Sequence, residues 1–367
     1  MAMYKNEMLP PVFDVDFYKQ HLPVFSSLNS QELRNHFRES GIYEGLSGSP
    51  PASREEFIKI VQKEKSILEI GPFHTPAVVG KNVSYFDVLN QEELIKRALE
   101  IGFETKHVPY INYVSKDCSL DIVDQNFSAV FGSHSIEHQP DLIDHLSGVS
   151  RILEDEGRYY IICPDKRYCF DHFVRETDLV DVLAAHALGM RVHEPRSPIA
   201  QRLYSTHNDA NKHWRGEHGE ARYKEYPETL QKVLSGVLPD GQYHDCHAWQ
   251  FTPNSFYEIT SFLYNAGFSD LYPERIYHTP YGRVEFTAVL RKRSKNSTIE
   301  IEPYISDVNS ELNKKGKLEA YYRNLILEKK SLQEEKERLQ NEINVIYKSK
   351  GWRLTSILRR IRNLQFN

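Results

Sequence analysis

The period of the apolar positions changes along the chain, and each change marks a different architecture. In residues 1–50, Phe13, Phe17, Leu22 and Phe25 recur at roughly helical spacing, and Leu33, Phe37 and Tyr43 extend the same face. This predicts a small helical N-terminal module. Ser47-Gly48-Ser49-Pro50-Pro51 closes it with turn residues and reads as a linker. From 60 to 293, short apolar runs alternate with amphipathic stretches. The runs predict strands at Ser66–Ile70, Val83–Asp87, Val108–Val114, Phe127–Ser133, Arg158–Cys163, near Ile276 and at Val284–Arg291. Helices are expected over Gln91–Ile101, Asp141–Leu153 and Asn254–Ala266. Strand–helix alternation of this kind implies an α/β fold, Rossmann-like and doubly wound, with a mainly parallel sheet covered on both faces. Such sheets bind ligands beyond the carboxyl ends of their strands.

Residues 294–315 are polar and read as a linker. From 316 to 350 a heptad is expected to form a coiled coil, with Leu318, Leu325, Leu332, Leu339 and Ile346 seven apart and Tyr322, Lys329, Lys336 and Ile343 on the companion seam. Two lysines weaken that seam, and a solvated single helix is the other reading; a homo-oligomer is the expectation. In residues 351–367, Leu354, Ile357, Leu358, Ile361 and Leu364 form an apolar stripe flanked by arginines. A basic amphipathic tail of this kind suits an anionic membrane surface, or else a partner protein.

Composition narrows the setting. Of 367 residues, 40% are hydrophobic and 26% charged, enough for a sizeable core, while no apolar run approaches the ~18 residues of a spanning helix. The opening residues carry an acid and no apolar segment, unlike a secretory signal. Cys118, Cys163, Cys169 and Cys246 show no paired spacing, which fits a reducing cytoplasm. A net charge of −5 argues against nucleic acid as a bulk partner. Residues 347–367 hold six basic side chains and no acid, so the remainder stands at −11 and the basic charge is local.

The candidate chemistry begins where the first strand turns into a loop, at Leu68-Glu69-Ile70-Gly71-Pro72-Phe73-His74. Gly71 lets a ligand approach the backbone. Asp87 ends the second strand, where a carboxylate can accept both hydroxyls of a ribose. A dinucleotide would need G-x-G-x-x-G, and Phe73 stands in place of its second glycine, so pyrophosphate would meet a phenyl ring. There is no G-x-x-x-x-G-K-[ST] either. A nucleoside without phosphates remains, and S-adenosylmethionine is the cofactor that fits. Asp14-Val15-Asp16 matches the metal motif of glycosyltransferases, but its place before a helix favours a cap.

In order and spacing, several pieces resemble a class I S-adenosylmethionine-dependent methyltransferase over roughly residues 60–293. They are Leu68-Glu69-Ile70-Gly71-Pro72, Tyr85-Phe86-Asp87, Phe131-Gly132-Ser133-His134-Ser135-Ile136-Glu137-His138, Val149-Ser150-Arg151-Ile152-Leu153 with Glu156-Gly157, Ile162-Cys163-Pro164-Asp165, and Phe251-Thr252-Pro253 with Ala266-Gly267-Phe268. The resemblance implies that Glu69 orients the loop or the cofactor's amino acid end, Gly71 admits the cofactor, Asp87 holds the ribose and Asp117 receives the adenine amino group. It further implies that Ser133 and His134 line the methionine part. The reduced glycine core at Gly71-Pro72-Phe73 departs from the family. His138 reads as either a site residue or a histidine that only packs.

Residues 164–250 are too long for a simple loop and are rich in histidine, arginine and tyrosine, which suits a carbohydrate and would also fit a peptide. His247 is the expected general base, with Asp245 or His244 to orient it; Asp165 and His172 are reserves. A metal held by His244, Asp245 and His247 is a weaker reading, and none is assigned. The N-terminal module and the tail motif Trp352-Arg353-Leu354-Thr355 resemble parts of bacterial surface-polysaccharide enzymes. They imply an O-methyltransferase acting on a sugar of lipopolysaccharide O-antigen or capsule, capping the chain end. The substrate would be a polysaccharide or lipid-linked glycan and the partner a glycosyltransferase. The location would be the cytoplasm, peripheral at the inner membrane. The alternative is a methyltransferase-like scaffold that has lost activity, favoured by Phe73 and the heptad; a glycosyltransferase ranks third.

Overall fold

The computed structural model describes residues 9–22, 24, 27–224, 245–293, 335–342, 345 and 348. The chain divides into two units, residues 1–306 and 307–367. In the second, residues 335–342 are helical and Leu339 is exposed. The rest of the expected coiled coil, the linker at 294–315 and the basic tail lie outside the described residues. None of the described helices is long and apolar enough to cross a membrane.

The first unit is built on a seven-stranded sheet: β1 Ile67–Ile70, β2 Val83–Asp87, β3 Tyr113–Val114, β4 Phe127–Ser133, β5 Leu153–Pro164, β6 Leu271–Tyr277 and β7 Glu285–Lys292. Their order is β3-β2-β1-β4-β5-β7-β6. Strands β1 to β5 run parallel, and β7 lies antiparallel between β5 and β6. This is the expected doubly wound, mainly parallel α/β architecture. Strand order reverses between β1 and β4, and the crevice at their carboxyl ends is where such folds take ligands.

Strand β1 shows why the sheet is buried on both sides. Leu68 and Ile70 enter one apolar core with Val130, Ile161, Leu146 and Phe256, while Ile67 enters another with Ala129, Phe131, Ile162 and Phe57. Alternate side chains of a strand face opposite ways, so a strand covered on both faces reads as a continuous apolar run. Glu69 is the one polar residue in this strand, and it is buried.

Helices α1 Val15–His21, α2 Ser30–His36 and α3 Arg54–Val61 precede the sheet; α4 Gln91–Glu100 and α5 Leu142–Ile152 cross between strands; α6 Leu179–Ala187, α7 Arg196–Tyr204 and α8 Ala210–Trp214 lie in the insertion; α9 Pro253–Asn265 precedes β6. The starts are written locally. Asn90 and Glu93 form a reciprocal cap at α4, and Thr252 caps α9, whose first residue is Pro253. Asp14 accepts the Phe17 N–H at 3.0 Å, so Asp14-Val15-Asp16 is a helix cap as expected.

The structure differs from the sequence pattern in four places. Tyr18, not Phe17, is the buried aromatic of α1, packing with Phe13 and Phe37. The segment expected to be a linker is packed: Ser49 is fully buried, and Thr287 Oγ1 donates to the Pro51 carbonyl. The third strand is only Tyr113–Val114. Pro109 lacks the N–H a ladder needs, and Val108 and Ile111 instead pack onto Leu94 of α4. Strand β5 begins at Leu153 rather than Arg158, passing through Glu156 at φ 63°.

Candidate active site

A cleft of about 380 Å³ opens at the carboxyl ends of β1 and β2. Gly71 sits at φ 71°, and its N–H bonds the Phe86 carbonyl at 2.9 Å, which turns the chain sharply off β1. A side chain is strained at that φ. Phe73, also at positive φ, lies in the cleft wall with its ring packed toward Leu94, His74 and Phe103. The space expected to hold a nucleoside therefore stays open. Ile70, Phe86, Leu89, Leu94 and Ile101 complete an apolar wall.

Asp87 faces this cleft from the end of β2 and is 8% exposed. It accepts the Leu89 N–H at 3.0 Å. Burial raises its pKa to about 6, against backbone N–H groups of Leu89, Val88 and Phe73 that favour the carboxylate. Glu69 lies below the turn and outside the cleft lining. Its carboxylate accepts the N–H groups of Ala77 and Val78 at 2.8 and 3.1 Å, so it orders the loop, the first of the two roles expected for it. Burial pushes its pKa up to about 7.

The remaining expected cofactor residues divide. His134 lines the cleft, with Nε2 2.5 Å from Glu285 Oε2. Burial would lower its pKa, but the bond to Glu285 and the charges of Glu137 and Glu285 outweigh that and raise it. Ser133 is turned into the same network, accepting from Arg54 at 2.9 Å, while Arg54 also pairs with Glu285 at 3.1 Å. Asp117 is exposed and does not line the cleft. It accepts from Ser115 Oγ at 2.6 Å and the Ser119 N–H at 3.3 Å, which hold its carboxyl below the usual range. Its neighbour Cys118, at φ 61°, lines the cleft instead.

The expected catalytic group is rearranged. His247 is buried and lies outside the cleft lining, and its orienter is Asp171, 2.5 Å from Nδ1. Asp245 instead lies 3.3 Å from His138 Nδ1. His244 lies outside the described residues. Both Asp245 and His138 line the cleft, and the His138 ring stands edge-on to that of His247 with centroids 4.7 Å apart. Between them sits Glu137, fully buried, whose Oε1 lies 3.9 Å from Nε2 of each histidine and 3.6 Å from His134 Nδ1. The reserves, Asp165 and His172, lie apart from this group. Asp165 pairs with Arg167 and Thr279, and His172 stacks on His218.

Sequence reasoning missed Glu137 and Asp171, and read His138 only as an alternative. The signal for Glu137 and His138 was present in His134-Ser135-Ile136-Glu137-His138, which leaves the end of β4 as one short turn. Asp171 reaches His247 from 76 positions away, so no local spacing could reveal it.

No family profile matches the chain, and no curated protein matches it. Among solved structures, it is similar to the CcbJ methyltransferase from Streptomyces caelestis, at 18% identity over 30% of this chain and 51% of that one, with a TM-score of 0.22. It is similar to a SAM dependent methyltransferase from Aquifex aeolicus, at 11% identity over 72% of this chain and 100% of that one, with a TM-score of 0.30. It is also similar to the mitomycin 7-O-methyltransferase MmcR, at 10% identity over 71% of this chain and 60% of that one, with a TM-score of 0.30. The chain thus spans about half the length of the first and all of the second. At these identities the likeness concerns the fold alone.

Proposed function

We propose that this chain is an S-adenosylmethionine-dependent methyltransferase, and that it methylates a hydroxyl of a sugar in a surface polysaccharide or its lipid-linked precursor. The observation that carries the first part is the cleft at the strand-order reversal, which pairs one buried carboxylate, Asp87, with an apolar wall and an open glycine turn. Asp87 would accept the two ribose hydroxyls, and the wall formed by Phe86, Leu89 and Leu94 would take the adenine face. Phosphate groups have no glycine cradle at this turn, which favours a nucleoside sulfonium over a dinucleotide. With Phe73 set into the wall, one of the two reasons for reading the chain as an inactive scaffold falls away, and the heptad is left as the other.

In methyl transfer the acceptor oxygen forms a bond to the methyl carbon while the carbon–sulfur bond breaks and its electron pair stays on sulfur. The protein mainly supplies alignment. The hydroxyl proton must also leave, and the Glu137–His138–His247 group beside the cleft is the chemistry on hand to promote that loss. A sugar acceptor is supported by the polar and aromatic make-up of the insertion, and by Tyr281, which stands exposed beside a buried Trp214 covered by Tyr168. One exposed aromatic face of this kind suits the C–H face of a pyranose ring. The polysaccharide setting, chain capping and attachment at the inner membrane through the basic tail rest on the resemblance of the two ends of the chain.

The test is incubation with a methyl-labelled donor and lipid-linked glycan, then location of the label. A methyl ether on a sugar oxygen supports the reading. Label on protein or small molecules alone refutes the sugar assignment, and no transfer to any acceptor refutes the enzyme.

A further inference from the structure

The Glu137 carboxylate presents an unusual problem. It is fully buried, and neither oxygen has a hydrogen-bond partner among the described residues. A buried charge left so is costly, and such groups are normally paired or bound to a metal. The nitrogens around it stand beyond hydrogen-bond reach of Oε1, His134 Nδ1 at 3.6 Å and Nε2 of His138 and of His247 at 3.9 Å each. That spacing is close to the edge of a coordination shell, since two ligands each ~2.1 Å from an ion at a tetrahedral angle lie about 3.4 Å apart.

His138 Nδ1 lies 3.3 Å from Asp245 but makes no hydrogen bond among the described residues. The outer side of the His247 ring agrees, with Nδ1 bonded to Asp171 at 2.5 Å. A carboxylate on Nδ1 holds the proton there and leaves the Nε2 lone pair pointing inward, the arrangement that orients metal-binding histidines. The donor atoms of Glu137, His138 and His247 all lie within 4.8 Å of one another.

We propose that Glu137, His138 and His247 bind one divalent first-row transition ion, such as Zn²⁺ or Mn²⁺, at the edge of the cleft. Two imidazoles and one carboxylate favour such ions over Mg²⁺ or Ca²⁺, which prefer oxygen shells. His138 is the ligand that also lines the cleft, so an open coordination position is directed there. This deepens the proposed function and rests on it for its catalytic meaning. An acceptor hydroxyl on the ion would be acidified, its proton passing to water at the cleft mouth, before the oxygen attacks the methyl group.

The test uses the full chain, stripped with chelator and freed of methyl donor, titrated calorimetrically with Zn²⁺, Mn²⁺ and Mg²⁺. The proposal expects one tight site for Zn²⁺ or Mn²⁺, weak binding of Mg²⁺, and at least a 100-fold loss of affinity in Glu137→Gln and in His247→Gln. A second histidine group, His172, His213 and His218, supplies the control. His218→Gln should leave the tight site intact. Wild-type protein that takes up neither Zn²⁺ nor Mn²⁺ overturns the proposal whether or not the variants fold. So does a tight site lost in His218→Gln but kept in Glu137→Gln. Donor binding is titrated separately without metal, so an ion that binds where the donor does not refutes the function and leaves the metal site standing.

Discussion

Replacing Asp87 by asparagine tests the cofactor pocket with almost no change of shape. One carboxylate oxygen already accepts the Leu89 N–H at 3.0 Å, so the introduced amide must either face that N–H with its own donor or turn its NH₂ toward the ribose. Either choice removes at least one charge-assisted hydrogen bond, worth roughly 1.5–3 kcal/mol, and the first adds a donor–donor conflict. The expected loss is about 2–4 kcal/mol, or roughly 30- to 1,000-fold in Kd. The assay is isothermal titration with S-adenosylmethionine, repeated across pH. In the free protein burial holds the Asp87 pKa at about 6, and the donor requires the carboxylate. Wild-type affinity should therefore be flat above pH 7 and fall as pH drops through about 6, approaching tenfold per unit. Asp87→Asn should be weak and should lack that step. Equal affinity in the two proteins, or a wild-type affinity unchanged down to pH 5, would refute the ribose assignment.

Other consequences are independent of that residue. Gly71→Ala should bind the donor more weakly and lower stability by ~1–2 kcal/mol, measured by urea unfolding, because a side chain at φ 71° is strained. Gly132→Ala should lower the thermal midpoint by several degrees. A Cβ there would stand 2.5 Å from Ser135 Oγ and 2.9 Å from Tyr159 Oη, an overpacking that costs about 1–3 kcal/mol. His145, fully enclosed and bonded to Tyr159 Oη at 3.0 Å, is pushed by burial to a pKa of about 3. The unfolded chain gains a proton below its ordinary pKa that the native state refuses, so stability should fall by ~1.4 kcal/mol per unit as pH drops below about 6.5. His145→Gln should flatten the urea-midpoint profile over pH 6.5–5 by one proton; an unchanged slope would contradict the assignment.

How far these features were legible in the sequence depends on their range. Strands β1, β2 and β4 are short and mostly apolar, with sheet partners on both sides, and their carboxyl ends fell where expected. The cofactor turn followed from them, because Gly71 and Asp87 stand at the ends of adjacent parallel strands paired Ile70 to Phe86. Strand β3 misled because Val108 and Ile111 are apolar for helix packing rather than for a ladder. Asp117 carries the right charge in the right loop, but its bonds to Ser115 and Ser119 turn it into a local turn lock. The reactive group was the least legible part. Its partners come from the turn after β4, from the start of the insertion and from its end, and only the fold brings Asp171 to His247 and Asp245 to His138.

The most direct test of the central claim is a calorimetric panel on the wild-type chain with S-adenosylhomocysteine, NAD and ATP. The account predicts one-to-one binding of S-adenosylhomocysteine and no heat from the two phosphate-bearing ligands. Silence with S-adenosylhomocysteine at millimolar concentration, or comparable binding of NAD, would contradict it.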